Sequence, residues 1–120
     1  MLKTALIVGS GGFIGAMLRF LLVTAIRPLH PLFPLATFSV NILGCFLMGV
    51  CVSLMQQTPT SSIKYFVVMG ILGSLTTFSA FIYDAFLLAQ QQAIGLAITY
   101  VIGSVIIGML CFYFGYMVGQ

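Results

Sequence analysis

Charge is what this chain has least of. Its 120 residues include one carboxylate, Asp84, one histidine, His30, four cations, Lys3, Arg19, Arg27 and Lys64, and no tryptophan. With one histidine in a proline-rich loop and one carboxylate, neither a conventional metal-ligand set nor a nucleophilic triad assembles at sensible spacing. The chemistry of an enzyme has no residues to work with. The cations are scattered, which excludes a nucleic-acid surface. Cys45, Cys51 and Cys111 are odd in number and form no C-x-x-C pair, so complete disulfide pairing is excluded and buried, inert thiols are expected.

Charged residues make up 4% of the chain and hydrophobic ones 62%, with a mean hydropathy of +1.25. A soluble domain carries roughly 25% charged residues. Five charges cannot cover a surface of this size in water, so the solvent for most of it is lipid. A membrane-spanning helix takes about 20 apolar residues, and four of them with short connections use nearly the whole length. The expectation is an all-α integral membrane protein, one transmembrane domain over residues 1–120, with no soluble domain left over and no cleaved signal peptide. The spans are expected at about 4–26, 35–55, 63–89 and 93–118.

Between the first two, Pro28, Pro31 and Pro34 cannot continue a helix. Gln56–Ser62 and Gln90–Gln92 are the other polar connections. Lys3 and Lys64 fall on one side of the membrane and Arg27 on the other, with Arg19 inside the first span nearer Arg27. That tally gives almost no orientation bias. Insertion both ways, and an antiparallel dimer, follow from it.

Glycine is plentiful. Gly9, Gly12 and Gly15 resemble a nucleotide-binding turn, but Ile14 stands where the last glycine of G-x-G-x-x-G falls and no acidic residue follows at the required distance. On a helix, Gly11 and Gly15 make G-x-x-x-G and Gly12 with Ala16 repeats it, so Gly9–Ala16 reads as a face for close helix packing.

The polar residues inside the spans are few. Arg19 either snorkels to the membrane surface or holds an anion near a pore mouth. Thr37 and Asn41 share a helix face, continued by Gly44 and Met48. The Asn41 amide serves either a helix–helix hydrogen bond or an anion. The third span runs Gly70-Ile-Leu-Gly-Ser-Leu-Thr-Thr-Phe-Ser-Ala-Phe-Ile-Tyr-Asp84. Glycine is a poor helix former, and Ser and Thr compete for backbone bonds. A helix broken near the bilayer midplane is expected there, with polar backbone lining a cavity or an ion. Phe78 and Phe81, three apart beside that break, are core packing or ring edges for a small anion. In the fourth span Tyr100 and Ser104 extend a hydroxyl track or simply pack.

Gly11-Gly-Phe-Ile-Gly-Ala-Met-Leu-Arg19, Thr37-Phe-Ser-Val-Asn41 and above all Gly73-Ser-Leu-Thr-Thr-Phe-Ser-Ala-Phe81 resemble the Fluc (CrcB) family of fluoride channels, across all four spans. The resemblance implies passive, fluoride-selective export that relieves cytoplasmic fluoride toxicity, by an antiparallel, dual-topology homodimer in a bacterial-type inner membrane. It implies fluoride pathways along the dimer interface, lined by Asn41, Phe78 and Phe81, with Ser79, Tyr100 and Ser104 as a hydroxyl track. It also implies a structural sodium ion at that interface, held by backbone carbonyls of Gly73 and Thr76, and matches Arg19 to the family's first-helix arginine. Asp84 falls where relatives carry an acidic residue, often Glu. Two rivals make different demands. A small multidrug-type transporter wants a membrane carboxylate early in the chain, where Arg19 stands instead. A non-transporting membrane subunit fits the glycine faces but not the clustered polar residues.

Overall fold

The computed structural model describes residues 1–30, 32–56 and 62–120. Pro31, one of the three prolines read as ending the first span, lies outside the described residues, as does most of the Gln56–Ser62 connection. The described residues are helical, with no strand among them. In chain order they form α1 (Leu2–Ile26), a 3-10 turn (Arg27–Leu29), α2 (Leu35–Leu54), α3 (Ser62–Lys64), a π-helical stretch (Tyr65–Leu72), α4 (Gly73–Leu75), α5 (Phe78–Gln90) and α6 (Ile94–Val118).

Four helical runs are long and apolar enough to cross a membrane: Leu2–Leu29, Leu35–Leu54, Ser62–Gln90 and Ile94–Val118. The molecule measures 48 × 29 × 23 Å, and its long axis matches a bilayer with its interfacial layers, about 40–45 Å. Leu6, Phe13, Phe20, Ile98, Ile106, Met109 and Phe114 are exposed. In water such a surface would aggregate; in a membrane it is the solvated face. This is a multi-pass membrane protein.

α1 packs chiefly on the Tyr65–Leu72 stretch, and α2 chiefly on α6. The main partners are thus not sequence neighbours. Lipid-embedded helices gain little from apolar burial against one another, so close backbone approach decides who pairs with whom. A Cβ on Gly11 would strike the carbonyl oxygen of Phe66, and one on Gly15 that of Ile71. Across the second pair, a Cβ on Gly49 would strike the Phe112 carbonyl and one on Gly115 the Phe46 carbonyl. The small-residue face of α1 is therefore narrower than the run Gly9–Ala16: Gly9 has open space where its side chain would be, and Gly12 approaches only the Ser74 hydroxyl.

Two small apolar clusters fill the interior. Phe81, Leu88, Ala97 and Tyr100 join α5 to α6, while Val40, Leu72 and Leu75 join α2 to the third span. The thiols of Cys45, Cys51 and Cys111 are free as expected, but only half-buried.

Gly49→Ala should lower the unfolding temperature of the purified protein in detergent, because overpacking against a backbone carbonyl costs about 1–3 kcal/mol. Gly95→Ala, with nothing within 4 Å of its added methyl, should leave that temperature unchanged or slightly higher.

Candidate functional site

The third span is interrupted by two residues. α4 ends at Leu75, α5 starts at Phe78, and between them Thr76 (φ −86°, ψ 149°) and Thr77 (φ −150°, ψ 124°) are extended. Local chemistry explains the place. Both residues are β-branched and favour extended backbone, and their hydroxyls offer the chain alternatives to helical bonds. The Thr76 hydroxyl takes one, donating to the Leu72 carbonyl at 3.0 Å.

The Thr76 N–H still donates to the Leu72 carbonyl at 3.2 Å, but the N–H of the extended Thr77 has no helical partner, a cost of about 1–3 kcal/mol if buried unmet. Asn41 meets it and bonds the Thr77 carbonyl as well. Its Nδ2 donates to the Thr77 carbonyl at 3.3 Å, and its Oδ1 accepts the Thr77 N–H at 3.0 Å. The amide of α2 thus replaces one rung of the missing helix. Of the two roles open to Asn41, the helix–helix bond is made, and one N–H of its NH2 group remains beyond it. Gly44, one turn further along α2, lets the Thr76 methyl in: a Cβ there would collide with it.

Two grooves meet at this clasp, and Asn41 and Thr77 line both. The larger, about 580 Å³, also touches Arg19, Thr37, Ser79 and Tyr83. The smaller, about 290 Å³, touches Thr76, Phe78, Phe81 and Ser104. Arg19 is half-buried and lines the larger groove. Ser79 lies there too, its hydroxyl 3.0 Å from that of Thr77.

Phe78 and Phe81 differ sharply in setting. Phe78 is 75% exposed, Phe81 only 6%. Their ring centroids are 5.6 Å apart, and Phe81 in turn lies 5.2 Å from the ring of Tyr100. Tyr100 is completely buried behind Phe81 and lines neither groove. The Tyr100 hydroxyl, the Ser104 hydroxyl and one oxygen of Asp84 are buried without a hydrogen-bond partner among the described residues. Gly73 is exposed and lines neither groove.

Asn41, Thr76, Phe78, Phe81 and Ser104 are therefore brought together on one groove, and Arg19, Asn41 and Ser79 on the other. Thr77 is the member that sequence reasoning passed over. It figured there only as one hydroxyl among four, whereas its backbone is what Asn41 grips. The matched positions of Thr37 and Asn41 on α2 could not show that partner.

Residues 6–116 match the family model described as CrcB-like protein, Camphor Resistance (CrcB). A fluoride-specific ion channel FluC of Novosphingobium aromaticivorans is 42% identical over 112 residues, covering 90% of this chain and 89% of that protein. Proteins of the same name from Azobacteroides pseudotrichonymphae (39% identical, covering 100% of this chain and 98% of the relative) and Agrobacterium fabrum (38%, covering 95% and 94%) are similar from end to end. The chain belongs to the CrcB family.

Proposed function

We propose that this protein is a fluoride-selective channel that lets fluoride leave the cell passively across a bacterial-type inner membrane and so relieves fluoride toxicity. One observation carries the reading: Asn41 clasps the extended Thr77, and two grooves, each lined by both residues, open at that clasp. Membership of a family whose similar members are named fluoride-specific channels supports it.

Fluoride is small and strongly hydrated, so a pore must replace its water with donors. The remaining Asn41 N–H, the hydroxyls of Ser79 and Ser104, and the positive edges of Phe78 and Phe81 supply them. Tyr100, buried and off both grooves, backs the ring of Phe81. The donors along this path are neutral, and each holds the ion only weakly, which conduction requires. Arg19 on the larger groove raises the local anion concentration at the mouth. Each fluoride leaving an inside-negative cell gains about 2.3 kcal/mol per 100 mV, so neither ATP nor a proton partner is needed.

The working unit in this reading is an antiparallel, dual-topology homodimer in the lipid bilayer. The ring of Phe78, exposed while lining the smaller groove, is what a second copy would cover. The break at Thr76 and Thr77 then lies near the midplane. Gly73 opens the last helical turn before the break and Thr76 is the first extended residue, where a helix leaves carbonyls without following N–H groups. Neutral oxygens of this kind fit a structural sodium ion shared by two chains; bound there, it would add positive charge beside the anion path.

Purified protein in liposomes should release fluoride quickly and chloride negligibly, read with two ion-selective electrodes; equal release of both, or of neither, would overturn the proposal. Asn41→Asp, which cannot donate to the Thr77 carbonyl and adds negative charge to both grooves, should slow fluoride release by at least about tenfold, the effect of roughly 1.4 kcal/mol. Phe78→Ile should slow it as well while leaving the protein folded. Exchanging sodium for a large organic cation during purification should shift the protein from dimer toward monomer in size-exclusion light scattering; an unchanged dimer would remove the ion from the interface.

A further inference from the structure

The loop between the first two spans holds the chain's only histidine, which has no part in the pathway described above. His30 Nδ1 accepts the backbone N–H of Phe33 at 3.1 Å. That bond requires the neutral ring with its proton on Nε2. The rings then run inward without a gap. His30 meets Phe33 edge-on at 6.2 Å between centroids, Phe33 meets Tyr100 edge-on at 5.6 Å, and Tyr100 lies 5.2 Å from Phe81, which lies 5.6 Å from Phe78. Phe33 also packs on Phe38 at 5.8 Å. An exposed imidazole is thus joined by successive ring contacts to the phenylalanines of the smaller groove.

A second cavity, about 310 Å³, opens beside this loop. Arg27, His30, Phe33, Asp84 and Gln91 line it. The charged groups facing His30 across it are Arg27, from its own turn, and Asp84, from α5. Asp84 has one carboxylate oxygen buried with no hydrogen bond among the described residues.

We infer that His30 is a positioning residue for the pathway phenylalanines, and that its protonation releases Phe33 and slows fluoride passage. In the neutral state Nδ1 holds the Phe33 amide, and Phe33 wedges Tyr100 against Phe81. In the protonated state Nδ1 carries hydrogen and cannot accept that amide. The imidazolium is repelled by Arg27 and drawn to the Asp84 carboxylate, both of which line the same cavity. Phe33 loses its anchor, and the ring stack behind Phe81 loses its outer support. The balance is one proton taken from water, with no other reactant.

The inference rests on the channel reading, and the experiment separates the two. Fluoride release is measured from liposomes at about pH 7.5 and about pH 5.5, with release from protein-free vesicles subtracted at each pH. The wild type should slow by roughly 3- to 10-fold at the lower pH, the population change set by one hydrogen bond. His30→Asn places an amide oxygen near the position of Nδ1, keeps an acceptor for Phe33 and does not titrate in this range, so its release should be fast at both values. Asp84→Asn should shrink the wild-type response. Fast wild-type release that ignores pH, or the same slowing in His30→Asn, would overturn the inference and leave the channel reading intact. Absence of fluoride release at both values would overturn the channel reading, and with it the inference. A readout independent of flux comes from the single histidine. In tag-free protein its ring-nitrogen NMR signals should report the Nε2–H tautomer at the higher pH, and the Nδ1–H tautomer would equally sink the inference.

Discussion

Lipid offers no hydrogen bonds, and the protein is arranged around the one place where its backbone leaves the helix within the hydrophobic run. Thr77 presents an N–H that no helix satisfies, and the Asn41 amide bonds both it and the Thr77 carbonyl. A hydroxyl could not do the same at one position, since the task calls for a fixed donor and a fixed acceptor side by side. The primary amide has that geometry without a charge, whose burial would cost far more. Once Asn41 is committed to Thr77, α2 and the third span are held in register, and the grooves on either side become consequences of that register.

Glycine sets the distances that make the clasp possible. Without a side chain at Gly44, the Thr76 methyl comes against the α2 backbone, which brings Thr77 within reach of Asn41 one turn away. Gly11 and Gly15 do the same for α1 and the first half of the third span, and Gly49 and Gly115 for α2 and α6. The helix pairs are therefore two tight contacts fixed by backbone approach, joined through the Asn41–Thr77 bonds and the Phe81–Tyr100 cluster.

Much of this was legible in the sequence, and the remainder was hidden for identifiable reasons. Four apolar helices followed from the scarcity of charge and the length of the chain. The crowding of Gly73, Ser74, Thr76 and Thr77 marked the irregular stretch, because those residue types disfavour helix on local grounds alone. Which group would grip it was not legible. Asn41 and Thr77 are 36 positions apart, and the spacing along α2 only places Asn41 on a face. The glycine face of α1 was read too broadly, since periodicity cannot say which glycines a neighbour reaches: Gly11 and Gly15 are covered, Gly9 is not. Tyr100 and Ser104 share a helix face by spacing, yet Tyr100 lies wholly behind Phe81 while Ser104 reaches the groove. That difference comes from α5, which the α6 sequence does not describe.

The neutrality of the grooves has a physical logic in the proposed channel. A cation placed along the path would compensate fluoride's lost hydration, but at low dielectric it would also trap the ion. Amide, hydroxyl and ring-edge donors act at shorter range and can hand the ion on. The fixed charges are accordingly few: Arg19 lines the larger groove, and Arg27 and Asp84 line the loop cavity. At those places a charge acts on the concentration of anions arriving, or on the posture of the loop, while the path between them is left to groups that bind weakly enough to let go.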